Sequence, residues 1–254
     1  MEVLVTNDDG YDSPGLHALA RALSEVASVV IVAPADDQSE IGRRRSTSVT
    51  IQEKRDGFAV NGTPADCVIV ALEALDLTPD LVVSGCNIGA NVGAYSFGRS
   101  GTISAAVEAA FFDIPSIAIS LYVPDGQWPI DAVPEHFTEA ERVIQFLTER
   151  YARIIPDGGY LNVNVPIPGD TPAAPRMTRP SERHAVGIDQ HPDRIDIIDE
   201  TWRQMAAGEW EEAIETDRGA VMQGWISVSP LVAPHQVATV PALSDAVTEY
   251  VDYH

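Results

Sequence analysis

Lysine is nearly absent. Lys54 stands alone against fifteen arginines, and with 38 acidic residues among 254 the formal charge at pH 7 is −22. A balance this acidic excludes a general basic surface for nucleic acid. It also makes the surface repel itself, a repulsion screened within about 3 Å at 1 M salt; this is the composition expected of a protein adapted to a very salty cytoplasm. Cysteine is scarce, and Cys67 and Cys86 fall within predicted elements without metal-site spacing, so both are expected as buried reduced thiols. The six histidines contain no HxxxH or HxH pair, which removes a zinc hydrolase ligand set. There is no GxSxG elbow for a serine hydrolase, and neither GxGxxG nor GxxxxGK[ST] for a dinucleotide or P-loop site. No apolar run reaches the length of a membrane span, and the first residues enter a strand with no charged-then-apolar leader. The expectation is a soluble, cytoplasmic protein without a membrane partner.

What is present is organised around the first turn. Glu2 to Thr6 read as a short apolar strand, and Asn7-Asp8-Asp9-Gly10 has the chemistry of a chain reversing at a strand end. Ser13-Pro14 then supplies a cap and a first-turn proline, and Leu16, Leu19, Leu23 and Val26 recur on one helical face. Two carboxylates are thus delivered beyond the carboxyl end of a buried strand, where open α/β sheets bind ligands. Carboxylates about 4 Å apart repel by roughly 4 kcal/mol at an effective dielectric of 20, so a converged pair needs a proton or a cation. The plainer alternative is that Asp8 and Asp9 are turn residues pointing apart into water. Their adjacency departs from the haloacid-type phosphatase signature, which needs aspartates two apart.

Further strands are expected at Ser28–Ala33, Ser46–Gln52, Phe58–Val60, Leu81–Ser84, Ser116–Ser120, Tyr160–Val165 and Gly224–Ser229. Helices are expected from Thr63-Pro64, over Ile103–Phe111 and over Glu135–Arg150, with a short terminal helix from Ser244. If the first two strands are parallel neighbours, the turn-prone segment Ala35 to Gly42 brings Ser39 to the same sheet edge as Asp8. Arg43-Arg44-Arg45 is either a solvated face or a phosphate contact. The segment from Gly85 to Thr102 is glycine-laden and opens a helix, as close approach of backbone amides to an anion requires. Pro166 to Pro180 reads as a linker or arm, and His191 to Asp217, with nine acids, as a solvated hairpin or helical region.

Taken together, these blocks resemble the SurE family of survival-protein nucleotidases along nearly the whole chain. The matching pieces are LVTNDDG at Leu4–Gly10, VAP and QS within Val32–Ser39, GTPADC at Gly62–Cys67, DLVVSGCNIGANVG at Asp80–Gly93, SGT at Ser100–Thr102, NVNVP at Asn162–Pro166, and TD with GWISVSPL within Thr216–Leu231. The resemblance implies an α/β, Rossmann-like three-layer sandwich with a mostly parallel sheet, plus a β-hairpin and C-terminal arm used in oligomerisation. It divides the chain into a catalytic core at residues 1–166 and a hairpin and arm at 167–254 that pack on the core and on a partner subunit of a homodimer or homotetramer.

By the same resemblance Asp8, Asp9, Ser39 and Asn87 hold one divalent cation per subunit, Mg²⁺ or Mn²⁺, an assignment that suits their oxygen-rich donor set. Asp8 and Asp9 are then the catalytic pair, and Asn91, Ser100, Gly101 and Thr102 are the expected phosphate contacts at a helix N-terminus. The implied activity is hydrolysis of nucleoside 5'-monophosphates, by water or through a phospho-aspartyl intermediate on Asp8. Action on 3'-nucleotides or short polyphosphate, or binding without turnover, are the alternatives. Two stretches depart from the family pattern, Glu40 after the QS pair and Ala94 to Arg99 before SGT, and both flank the expected site.

Overall fold

The computed structural model describes residues 1–124, 130–152, 155, 158–169 and 173–233. In chain order these form β1 (Glu2–Thr6), α1 (Pro14–Ser24), β2 (Ser28–Pro34), β3 (Ile51–Lys54), β4 (Gly57–Val60), α2 (Pro64–Glu73), β5 (Leu81–Ile88), α3 (Ala94–Phe97), α4 (Gly101–Phe111) and β6 (Ser116–Tyr122). A 3-10 turn at Pro134–Phe137 leads into α5 (Thr138–Tyr151). Then come β7 (Gly159–Pro166), β8 (Pro175–Met177), β9 (Val186–Gln190), β10 (Ile195–Asp199), α6 (Glu200–Ala206), α7 (Asp217–Met222) and β11 (Ile226–Val232). The terminal helix expected from Ser244, and with it the end of the C-terminal arm, lies outside the described residues.

Nine strands make one sheet in the order β3-β4-β2-β1-β5-β6-β7-β11-β8, and β9 with β10 make a separate antiparallel hairpin. Within the large sheet only β3–β4 and β7–β11 pair antiparallel. The expected α/β layering is present and follows from alternation along the strands. Val3 and Val5 of β1 face one core with Leu16, Leu19 and Leu23 of α1 and Phe137, Val143, Ile144 and Leu147 at and within α5. Leu4, between them, faces the other core with Val68 of α2 and Ala105 and Ala109 of α4. Each fully buried Leu or Phe contributes roughly 1.5–3 kcal/mol. The sheet is therefore a rigid platform for what its loops carry.

Direction reverses at β1: the chain leaves it for β2 on one side and returns to β5 on the other. The loops after β1 and β5 consequently part at a topological switch point, where open α/β folds leave a crevice.

Three expected boundaries are corrected. The strand expected at Ser46–Gln52 exists only as Ile51–Lys54, because the preceding segment is tied to the start of α2 instead: the Ser46 N–H donates to Asp66 Oδ1 (2.9 Å) and the Thr63 hydroxyl to the Arg44 carbonyl (2.7 Å). The strand expected to end at Ser84 resumes pairing after a register shift, with Asn87 opposite Ser120, so Asn87 sits on a strand end rather than in a loop. The proline-rich stretch contains β8, which pairs parallel with β11. Since β11 in turn pairs with β7, residues beyond 166 complete the core sheet. Cys67 and Cys86 are buried and free, as expected.

Candidate active site

The ends of β1, β2 and β5 bring three loops together. The Gln38 N–H donates to the Asp8 carbonyl (2.7 Å), which fixes the Ser39 loop against the aspartate turn. Gly10, at φ +93°, lets the turn close against the same loop; a Cβ there would lie 3.2 Å from the Asp36 carbonyl carbon. Asn7, fully buried, ties the turn to α1 by donating to the Gly10 carbonyl and the Ser13 hydroxyl (both 2.9 Å).

Asp8 is 4% exposed. It is pressed against the first turn of α4, where a Cβ on Gly101 would lie 2.6 Å from Asp8 Cβ and 2.8 Å from its Oδ2. Only glycine permits this approach. Thr102 donates its hydroxyl to Asp8 Oδ1 (2.6 Å) and also offers its backbone N–H. Burial nevertheless outweighs these bonds and holds the Asp8 carboxyl above its ordinary range, with Asp37 adding repulsion.

Asp9 is in greater electrostatic difficulty. Burial first, then the charges of Asp8 and Asp37, raise its carboxyl from 3.8 to about 7, against a single helpful bond from the Ile88 backbone. That difference amounts to roughly 4 kcal/mol against the ionised form. Its Oδ2 is buried and has no hydrogen-bond partner.

The Ser39 hydroxyl and N–H both donate to Asp37 Oδ1 (2.6 and 2.8 Å), and Ser39 itself is exposed. Asn87 donates its amide to the Gly89 carbonyl (2.5 Å), which leaves its Oδ1 as the atom able to ligate. Among the described residues no three His, Cys, Asp or Glu side chains gather as a metal cluster. The side chains here that could hold a cation are two carboxylates, a hydroxyl and an amide oxygen, all hard donors suited to an ion of the Mg²⁺ or Mn²⁺ type. The unpartnered Asp9 oxygen and the uncompensated pair beside it fit such an ion.

The expected phosphate contacts are already engaged. Ser100 caps α4, its hydroxyl accepting from the Ile103 N–H (3.1 Å). Asn91 donates to Ser120 Oγ (2.9 Å) and to Thr102 Oγ1 (3.4 Å). Of the arginine run, Arg43 turns outward to α4, 3.9 Å from Glu108 and over the Phe111 ring, and Arg44 offers its carbonyl to α2.

Residues outside the expected ligand and phosphate-contact sets also surround the site. Asp37 orients Ser39 and loads both aspartates; the Asp-x-Ser spacing of an Asx-type turn was its available signal. Asn162 and Asn164, both fully buried, reach the Asn91 backbone from β7. In the sequence they stand within the NVNVP block, as two polar residues on one face of a buried strand with no role attached. Beside the Ser39 loop, where the Gly42 N–H donates to the Arg99 carbonyl (3.0 Å), Tyr95 stacks on His184 at 4.2 Å with the Arg99 guanidinium over its ring.

The survival protein SurE profile matches residues 3–186. The chain belongs to the SurE family. A protein of Natronomonas pharaonis named 5'-nucleotidase SurE is 48% identical, with 98% of this chain and 100% of that protein aligned. One of the same name from Haloquadratum walsbyi is 42% identical, over 99% of this chain and 98% of that one. The crystal structure of the SurE protein from Aquifex aeolicus superposes with a TM-score of 0.77 at 30% identity, covering 99% of this chain and 100% of that one. Family membership thus extends over the whole molecule, the β9–β10 hairpin included.

Proposed function

We propose that this chain is a divalent-metal-dependent 5'-nucleotidase, a phosphomonoesterase that hydrolyses nucleoside 5'-monophosphates to nucleoside and phosphate. The activity is supported by full-length identity to proteins named for it. The observation that carries the chemistry is the buried, unpartnered Asp9 Oδ2 beside the buried Asp8. Among the described residues no cation offsets the charge of these two carboxylates, and a phosphoryl transfer site needs a positive charge between carboxylates and phosphate.

Asp8, Asp9, Ser39 Oγ and Asn87 Oδ1 would hold the cation, Mg²⁺ or Mn²⁺. Bound there, it supplies charge stabilisation at the phosphoryl oxygens and activation of water. The chain's own part is positional. Thr102 fixes Asp8 with a hydroxyl and an amide, and Gly101 keeps the start of α4 against it. The first turn of α4, with its partial positive charge, then faces the region where phosphate oxygens would collect. Asn91, Ser100, Gly101 and Thr102 line that region, their side chains or amides bordering the phosphate. A carboxylate that already accepts two bonds from Thr102 is a weakened nucleophile, which favours attack by water. Borohydride quenching during turnover should leave Asp8 unchanged, as direct attack by water requires; reduction of Asp8 to homoserine, the trace of a phospho-aspartyl ester, would reject direct attack.

The subunit is read as cytoplasmic and as a homodimer or homotetramer. On the β9–β10 hairpin, Ile188 pairs with Ile197, and these two and Ile195 are 59–80% exposed, an apolar face suited to a second copy. No helix among the described residues is long and apolar enough to cross a membrane.

A phosphate-release screen in high KCl tests the function, using AMP, GMP, CMP, UMP, a 3'-nucleotide and tripolyphosphate with and without Mn²⁺. Release from the 5'-nucleotides only with metal is expected. Preference for a 3'-nucleotide or tripolyphosphate would move the substrate class, and tight binding without release would leave a non-catalytic module.

A further inference from the structure

The loop that follows β5 carries Asn91, yet its conformation is not dictated by its own sequence. Three glycines, Gly85, Gly89 and Gly93, adopt positive φ within it and just before it. A segment this permissive has many conformations to lose, so something outside must select one. The selection is visible at Asn91. Its N–H donates to Asn164 Oδ1 (2.8 Å), and its carbonyl accepts from Asn164 Nδ2 (3.1 Å). One carboxamide therefore meets both main-chain groups of one residue, as a neighbouring strand would. Asn162 adds a second bond to the same carbonyl (2.8 Å), while its own Oδ1 is buried without a partner.

With the backbone so held, the Asn91 side chain points its amide at Ser120 and Thr102, and Thr102 in turn donates to Asp8 Oδ1. The bonds connect β7 through the loop to the aspartate, reciprocal between Asn164 and Asn91 and then donated from Asn91 to Thr102 and from Thr102 to Asp8.

We propose that Asn164 is a positioning residue for the hydrolytic site: by pairing with the Asn91 backbone it fixes the glycine-rich loop so that Asn91 and Thr102 orient Asp8. The inference rests on the 5'-nucleotidase reading for its catalytic consequence, but not for its geometry. Asn164 itself touches neither Asp8 nor any group expected to react, so its effect passes entirely through Asn91.

Asn162 provides an internal control. It lies on the same strand and face, is equally buried, and contributes one bond to Asn91 where Asn164 contributes two. A merely structural role would make the activity loss at each position follow its loss of Tm. Asn164→Ala is expected to lower kcat and kcat/KM together, on the order of 100-fold, as for a catalytic group displaced by about 1 Å. Asn162→Ala should lose less than about tenfold, the scale of one neutral hydrogen bond. Asn164→Asp keeps the volume but sets an oxygen against the Asn91 carbonyl, so it should lose activity on the same scale as Asn164→Ala. That pairing separates the hydrogen bonds from cavity formation if Asn164→Ala folds poorly.

The experiment measures AMP turnover in Mn²⁺ and high KCl, thermal stability, and amide hydrogen exchange at Asn91 for the wild type and the three variants. Support is a larger kcat loss in both Asn164 variants than in Asn162→Ala at comparable Tm, with Asn91 exchange faster by about tenfold or more in Asn164→Ala. Equal activity losses that track Tm, or unchanged Asn91 exchange in Asn164→Ala, would overturn the proposal. If the wild type releases no phosphate from any nucleotide, the nucleotidase reading fails separately. Exchange then decides the clamp by itself: faster in Asn164→Ala than in Asn162→Ala upholds it, and equal rates refute it.

Discussion

Two regions of this molecule bury carboxylates, and although burial raises the carboxyl in both, they differ in the partners they provide. In the arm, Asp217 accepts N–H bonds from Ser181 (2.9 Å), Arg218 (2.7 Å) and Gly93 (2.8 Å). The Arg218 guanidinium, 3% exposed, lies 3.4 Å from Glu212 and over the Trp210 ring. Charges there have partners within the protein. Beyond the carboxyl end of β1, Asp8 and Asp9 feel the repulsion of Asp37, and Asp9 also that of Asp8; among the described residues their help comes from hydrogen bonds, chiefly of Thr102 to Asp8 and the Ile88 backbone to Asp9, and not from a cation. A buried charge left without a partner costs several kcal/mol, so a fold retains one only where something else supplies the counter-charge. The arm's carboxylate is held by three N–H donors and holds shape, though Arg218 Nε there is left without a partner; the pair of carboxylates with no counter-charge marks where a ligand belongs.

Removing one carboxylate from each region should therefore move stability in opposite directions. Asp9→Asn is expected to reduce metal-dependent turnover by on the order of 10³-fold, the several kcal/mol that a bound cation contributes, while raising the Tm of metal-free protein at pH 8. Asp217→Asn leaves an amide facing N–H donors and should lower stability by about 1–3 kcal/mol, or roughly 2–4 °C per kcal/mol. Melting curves in EDTA check both, and a fall in Tm for Asp9→Asn would erase the contrast. Next in size, Gly101→Ala should force Asp8 from its place and reduce kcat by on the order of 100-fold; unchanged kinetics would show that the contact with α4 does not set the aspartate.

The pH dependence has a definite sign. Asp9 is raised from 3.8 to about 7 in the folded protein, so its stabilising contribution in metal-free protein is full below pH 3.8 and lost as pH rises through about 7. The increase in Tm on adding Mn²⁺ should accordingly be larger at pH 8 than at pH 6, because at the lower pH the ion displaces a proton. Equal increases would place the metal elsewhere. The smallest effect on the site itself is that of salt: with a net charge of −22, Tm should climb from about 0.1 M toward molar KCl as repulsion is screened. A flat curve would separate the acidic composition from salt adaptation.

The parts of this contrast differed in how legible they were from sequence. Apolar periodicity and, for α1, a capping serine announced β1, α1, β2 and α5, and the apolar positions expected for that last helix, Phe137, Ala140, Val143, Ile144 and Leu147, are buried at its start and along it. The adjacency of Asp8 and Asp9 after a strand was enough to raise a cation. The convergence of their turn with the Ser39 loop depended on which strands neighbour, a long-range choice that local pattern does not encode. An acid-rich segment is ordinarily solvated, the expectation for His191 to Asp217, yet Asp217 is fully buried beside an Arg218 only 2% exposed. Its buried bonds come from Gly93 and Ser181, residues distant in sequence. Asn162 and Asn164 were hidden for the same reason, since their partner Asn91 lies some seventy residues away.

The most direct measurement is phosphate release from AMP in high KCl by protein stripped with EDTA, before and after Mn²⁺ is restored, with Asp9→Asn alongside. No release before, recovery after, and none in the variant is the expected result. Undiminished release in EDTA, or full recovery in Asp9→Asn, would contradict the claim that this uncompensated pair of carboxylates is built to hold a catalytic cation.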